Sequence, residues 1–224
     1  MKMLIYVIRH GETALNLESR LQGWLDVPLN ENGILVARLT GEALRDVRFD
    51  RAISSPLSRA ADTARLILEE NGSPVFLETD DRLREIKWGS WEGLCCAEER
   101  MEVPGASFSD FFYNAMSFDG APDGESIADV IRRTGDFFRE LIADPQNDGK
   151  TILISTHGCS MRGLLHTVYE DQSDFWQGSL PPNCAVNIIA VEDGACRFEA
   201  RDQVYYDRNL YHAAYADPGS APKK

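Results

Sequence analysis

The sequence predicts an α/β fold: three layers, with a mostly parallel central sheet flanked by helices and a small, mainly helical lid insertion. Two features point there. Residues 3–8 (Met-Leu-Ile-Tyr-Val-Ile) and 151–155 (Thr-Ile-Leu-Ile-Ser) are short apolar runs, the mark of strands buried on both faces. Between such runs lie segments with helical spacing and recognisable caps, the alternation that builds parallel sheets. A length of 224 residues suits one such domain, so residues 1–224 read as a single unit with an insertion at about 92–125.

Taken in order, the first strand ends at Arg9-His10-Gly11-Glu12-Thr13, and residues 21–29 are irregular and rich in turn formers. Asn30 is placed to cap a helix on which Ile34, Leu35, Leu39 and Leu44 recur at helical spacing. Residues 49–54 form a second strand. Ser55 and Pro56 then predict a helix start, serine as cap and proline at the first position, with a stop at Asn71-Gly72. Residues 74–77 read as a third strand. Residues 92–125 hold five aromatic and eight acidic side chains against the single base Arg100, and are expected to lie over one end of the sheet. Asp123 or Ser126 caps the next helix, which runs through Ile127, Val130, Phe137 and Leu141. The strand at 151–155 leads into Thr156-His157-Gly158 and a helix over 159–169. Residues 185–191 and 196–203 alternate around Glu192-Asp193-Gly194 as a hairpin, an edge that leaves a homodimer open. The tail at 218–224 is expected to be loose.

With 43% hydrophobic and 26% charged residues the composition is that of a soluble globular protein. A net charge of −13 repels a nucleic-acid backbone or an anionic membrane, so neither is an expected partner; a local positive pocket remains compatible. The five cysteines (Cys95, Cys96, Cys159, Cys184, Cys196) are odd in number and lack a C-x-x-C pair, which fits reduced thiols and a cytoplasmic location. Only six apolar residues precede Arg9 in the first run, too few for a signal segment or a membrane span.

In an open α/β sheet, ligands bind beyond the carboxyl ends of the strands. Arg9-His10-Gly11 ends one buried strand and Thr156-His157-Gly158 another, and a parallel arrangement brings both histidines to the same edge. Arg59 falls in the first turn of the helix after the second strand, and Glu85 follows the third. Each of these side chains alone has an ordinary structural explanation. Two imidazoles, two guanidiniums and a carboxylate converging on one edge do not. Such a set suits a bound oxyanion and a nitrogen nucleophile. Two histidines and a carboxylate could ligate zinc, but the two arginines would repel it. Gly158-Cys159-Ser160-Met161-Arg162 approaches a hydrolase elbow yet ends in arginine where glycine is required. There is no phosphate-cradling glycine-lysine loop. His166 and His212 read as surface or packing residues, and Cys159 as a small buried hydrophobe.

The ordered set Arg9-His10-Gly11-Glu12-Thr13 with Asn16, Gln22-Gly23, Ser54-Ser55-Pro56 with Arg59, Glu85, Gly89, Trp91-Glu92-Gly93, His157-Gly158 and Asn183-Cys184 resembles the histidine phosphatase superfamily, which includes cofactor-dependent phosphoglycerate mutases and broad-specificity phosphatases. The resemblance implies a phosphoglycerate mutase-like fold and a single histidine phosphatase domain. It also implies roles. His10 is the nucleophile that takes up the phosphoryl group; Arg9, Arg59 and His157 hold its oxygens; Glu85 is the proton donor and acceptor. Asn16, Gln22, the backbone of Gly23 and Gly158 are expected to touch the phosphate or the substrate. No metal and no cofactor are required, because phosphoryl transfer is served by positioning and positive charge. The family divides by what covers the site. Mutases of the family carry basic residues in the insertion, whereas residues 92–125 here are acidic and aromatic, and residues 85–93 look like the phosphatase branch. The expectation is therefore hydrolysis of a small phosphorylated metabolite. A phosphoglycerate mutase, an α-ribazole-5′-phosphate phosphatase and a non-catalytic phospho-ligand binder are the alternatives.

Overall fold

The structure, a computed structural model, describes residues 1–212, with the backbone alone at 105–107; the tail at 218–224 lies outside the described residues. The chain runs β1 (Met3–Arg9), α1 (Ala14–Leu17), α2 (Glu31–Ala43), β2 (Arg51–Ser54), α3 (Ser58–Asn71), β3 (Leu77–Thr79), α4 (Gly105–Tyr113), α5 (Ile127–Ala143), β4 (Thr151–Thr156), α6 (Gly158–Leu164), β5 (Val186–Glu192) and β6 (Ala195–Gln203). Among the described residues the strands form one sheet in the order β3-β2-β4-β1-β5-β6, parallel from β3 to β1 and antiparallel beyond. No helix among them is long and apolar enough to cross a membrane.

The apolar runs behave as strands covered on both sides. Met3, Ile5 and Val7 of β1, with Ile152 and Ile154 of β4, pack against Phe137, Phe138 and Leu141 of α5 and Met161 and Leu164 of α6. The alternate residues Tyr6, Ile8 and Leu153 meet Ala64, Ile67 and Leu68 of α3. The register pairs Arg9 with Thr156, so the chain leaves both strands at the same level and His10 emerges beside His157.

Four expectations about elements are corrected. The third strand lies at Leu77–Thr79, not 74–77, because Pro74 has no N–H to donate and Phe76 is 84% exposed at the sheet edge. Helix α2 is capped by Asn30 as expected, but Ile34 and Leu35 face outward. Its buried face is Gly33, Val36, Ala37, Thr40 and Gly41, small residues that let it lie close to α3. Helix α3 starts at Ser58 rather than at Pro56. The Ser55 hydroxyl is engaged with His157 Nε2 at 2.8 Å, and the Ser58 N–H donates to Asp26 Oδ1 at 2.7 Å instead. Helix α6 ends at Leu164, and a single turn of 3₁₀ helix follows at His166–Val168. Elsewhere the local signals hold: Gly72 closes α3 in the left-handed conformation, Ser126 builds a reciprocal capping box with Asp129 on α5, and Asp193-Gly194 turns the hairpin.

Within residues 92–125 the chain forms α4 between single 3₁₀ turns at Glu98–Arg100 and Ala115–Ser117. Phe108, Phe111 and Phe118 bury their rings with Trp88 and Trp91 in a cluster of its own, which also receives Phe175 and Trp176.

Candidate active site

His10 and His157 stand with ring centroids 5.1 Å apart, both buried. His10 Nδ1 lies 2.6 Å from the carbonyl oxygen of Gly11. A carbonyl can only accept, so Nδ1 carries the proton and Nε2 keeps its lone pair. Burial, then the guanidiniums of Arg59 and Arg9, hold the His10 pKa well below the ordinary histidine value. The same causes lower His157, with His10 and Arg133 adding to the repulsion. Both rings are therefore neutral at neutral pH. His157 Nε2 meets the Ser55 hydroxyl, while its buried Nδ1 has no hydrogen-bond partner among the described residues.

The backbone around His10 is held from three sides. Gly11 N–H donates to the Thr63 hydroxyl on α3 at 2.9 Å, Asn183 Nδ2 donates to the His10 carbonyl at 3.0 Å, and Arg9 Nη1 donates to the carbonyl of Pro181. A Cβ on Gly11 would come within 2.6 Å of the Gly33 carbonyl, so the loop must present glycine where it runs against α2.

A cleft opens beside His10. Arg9, Asn16, Gln22 and Gly158 line it with His10, and three of these residues carry buried donor atoms without partners among the described residues: Arg9 Nε, Asn16 Nδ2 and Gln22 Nε2. Their other atoms are fixed. The Thr13 hydroxyl lies between the side-chain oxygens of Asn16 (3.2 Å) and Gln22 (2.9 Å), which leaves the amide nitrogens as the ends available for a ligand. Buried donors without acceptors, beside a nucleophilic nitrogen, are the chemistry that receives an oxyanion.

Glu85 reaches the same cleft. Its carboxylate accepts from the N–H groups of Ile86 (2.9 Å), Cys159 (3.1 Å) and Ser160 (3.0 Å), so it closes the first turn of α6 and is carried to the histidines by it. The backbone that bears it is clamped by Arg133 of α5, which donates to the carbonyls of Arg82 (2.8 Å), Arg84 (2.7 Å) and Glu85 (3.0 Å) while paired with Glu125. Burial and the nearby Glu85 push the Cys159 thiol well above its ordinary pKa, so it stays protonated and unreactive.

Three predicted site residues, His157, Arg59 and Gly23, sit behind the wall of the cleft. Arg59 is fully buried and donates to the carbonyls of Leu25 (2.8 Å) and Gly23 (2.8 Å), so it braces the loop that carries Gln22 and acts on the histidines through its charge. The Gly23 N–H is engaged by Glu92 at 3.0 Å, which also accepts from Trp24 and Trp88, so this amide does not face the cleft. The sequence alone did not single out Thr63, Arg133 or Trp176. Arg133, partly buried once α5 is packed, looks in the sequence like any surface charge on an amphipathic helix.

A sequence model of the histidine phosphatase superfamily (branch 1) matches residues 5–203. The chain is 38% identical over 164 residues to 2,3-bisphosphoglycerate-dependent phosphoglycerate mutase 2 of Gloeobacter violaceus, covering 72% of this chain and 74% of that protein. Among solved structures, Bacillus stearothermophilus YhfR is similar with a TM-score of 0.78 and 32% identity, over 90% of this chain and 97% of that one. A mycobacterial glucosyl-3-phosphoglycerate phosphatase in complex with VO3 is similar with a TM-score of 0.77 and 28% identity, over 89% and 98% respectively. With its motifs in order along the chain, its two histidines meeting at one sheet edge and these likenesses spanning most of its length, the protein belongs to the histidine phosphatase superfamily.

Proposed function

We propose that the protein hydrolyses phosphomonoesters of small metabolites through a phosphohistidine on His10. The observation that carries this reading is the lining of the cleft: among the described residues Arg9 is its only arginine or lysine, beside the unpartnered amides of Asn16 and Gln22. That supplies donors for one phosphoryl group and no second cation for another anionic group on the substrate. The geometry supports the following chemistry. The lone pair on His10 Nε2 forms a bond to phosphorus as the ester P–O bond breaks, and the departing oxygen takes a proton from Glu85. A water oxygen then attacks phosphorus. Its proton goes to the Glu85 carboxylate, the N–P bond breaks with its electron pair returning to Nε2, and inorganic phosphate leaves. Arg9, with the field of Arg59 behind it, stabilises the charge on the equatorial oxygens.

The named mutase relative supports a second reading, phosphoglycerate mutase, in which the phosphohistidine passes its group to a second position of the substrate. The two are separated by a direct assay. Phosphate release from p-nitrophenyl phosphate by the intact chain and not by His10→Ala is the expected result. Absence of turnover by the intact chain would leave a binding protein. Rapid isomerisation of 3-phosphoglycerate with catalytic 2,3-bisphosphoglycerate, without phosphate release, would establish the mutase instead.

A further inference from the structure

Most of the rest of the cleft's lining is apolar. Trp88, Phe111, Phe112 and Trp176 line it together with Leu21 and Leu180. Apart from the exposed Tyr113, the insertion's aromatic residues divide into two groups. Phe108 and Phe118 are buried and do not reach the cleft; their rings pack against Trp88 and Trp91 and hold the segment together. Phe111 and Phe112 face the cleft. Phe112 is only partly buried, although its ring stands 5.0 Å from that of Phe111 and 6.1 Å from that of Trp176. The indole of Trp176 has spent its polar atom: Nε1 donates to the Phe111 carbonyl at 2.7 Å. What remains for a ligand is an apolar surface built from two segments, α4 and the loop around residue 176, locked together by that hydrogen bond. The single carboxylate on the lining is Glu85, which faces any negative group placed there.

Resting on the phosphatase reading above, we propose that the leaving alcohol of this enzyme's substrates is a neutral, flat, apolar group seated against Phe111, Phe112 and Trp176, and that alcohols bearing a second anion are rejected. Flat rings gain from offset and edge contacts with these side chains beyond the area they bury. A carboxylate or second phosphate would be taken out of water beside apolar walls and Glu85 with no cation to receive it.

The test compares 1-naphthyl phosphate, glycerol 2-phosphate and 3-phosphoglycerate as substrates of the intact chain by phosphate release, and as ligands of His10→Ala by calorimetry. The expected result is a kcat/KM for 1-naphthyl phosphate about tenfold or more above that of either other ester, with the same order of affinity. Phe112→Ala, whose ring is the least buried of the three, should lower kcat/KM for 1-naphthyl phosphate more than for glycerol 2-phosphate and so narrow that preference. Phe112→Arg should raise turnover of 3-phosphoglycerate. Equal kcat/KM values for all three esters, or tighter binding of 3-phosphoglycerate than of 1-naphthyl phosphate, would overturn the inference and leave the phosphatase reading standing. Tight, selective binding of 1-naphthyl phosphate without turnover would support the pocket and sink the hydrolytic reading instead.

Discussion

His10 donates from Nδ1 to the carbonyl of its own neighbour Gly11, and burial beside two guanidiniums keeps the ring neutral, so the free electron pair sits on Nε2. No other side chain in the cleft offers a comparable nucleophile, since the Cys159 thiol is held protonated. Replacement by asparagine, similar in size and polarity, should lower kcat by roughly four orders of magnitude or more, read as phosphate release from p-nitrophenyl phosphate. Arg133 acts at one remove. Its guanidinium ties the carbonyls of Arg82, Arg84 and Glu85 to α5 and thereby sets where the Glu85 carboxylate lies. Arg133→Gln should lower kcat by about 10–100-fold with KM little changed if Glu85 is the proton donor proposed above, because a misplaced donor affects the transition state more than the bound ester. A change confined to KM would show that Arg133 serves binding instead.

Between elements, α2 and the loop carrying His10 meet in close contact. A Cβ on Gly33 would stand 2.1 Å from the Glu12 carbonyl, and one on Gly11 2.6 Å from the Gly33 carbonyl, so the two glycines meet backbone to backbone. Gly33→Ala must push the loop away from α2. It should cost about 1–3 kcal/mol in a urea titration and lower kcat together with stability, since the displaced segment is the one that holds His10, the proposed nucleophile. At the start of α5 the Ser126 and Asp129 side chains each satisfy the other's backbone N–H. Ser126→Ala should cost about 1 kcal/mol in the same titration with kcat close to normal, because Arg133 lies two turns further along.

Across the whole molecule, burying two neutral histidines links stability to pH. His10 and His157 have folded-state pKa values well below 6.5, whereas the unfolded chain takes up those protons near 6.5. Above 6.5 neither state is protonated and the full stability is present; as pH falls below it the unfolded chain binds protons that the folded chain refuses, and stability declines. The thermal midpoint should therefore drop between pH 7 and pH 5, and drop less in His157→Asn; an unchanged midpoint across that range would contradict the lowered values. The same scale separates what the sequence by itself determined from what it did not. Paired apolar runs ending in Arg9-His10-Gly11 and His157-Gly158 were enough for the sheet and for the meeting of the histidines, because local periodicity and parallel pairing leave little freedom in where such strands end. The caps at Asn30, Ser126 and Gly72 were legible for the same reason. The start of α3 was not, because Ser55 turns to His157 and a distant Asp26 receives the Ser58 N–H. The inward face of α2 was misjudged because close packing on α3 selects small residues over large apolar ones. Only the tertiary structure decided that Arg59 and Gly23 stand behind the wall, that Arg133 grips the Glu85 segment, and which lid rings face the cleft, since each depends on partners far away in the chain that no local pattern encodes.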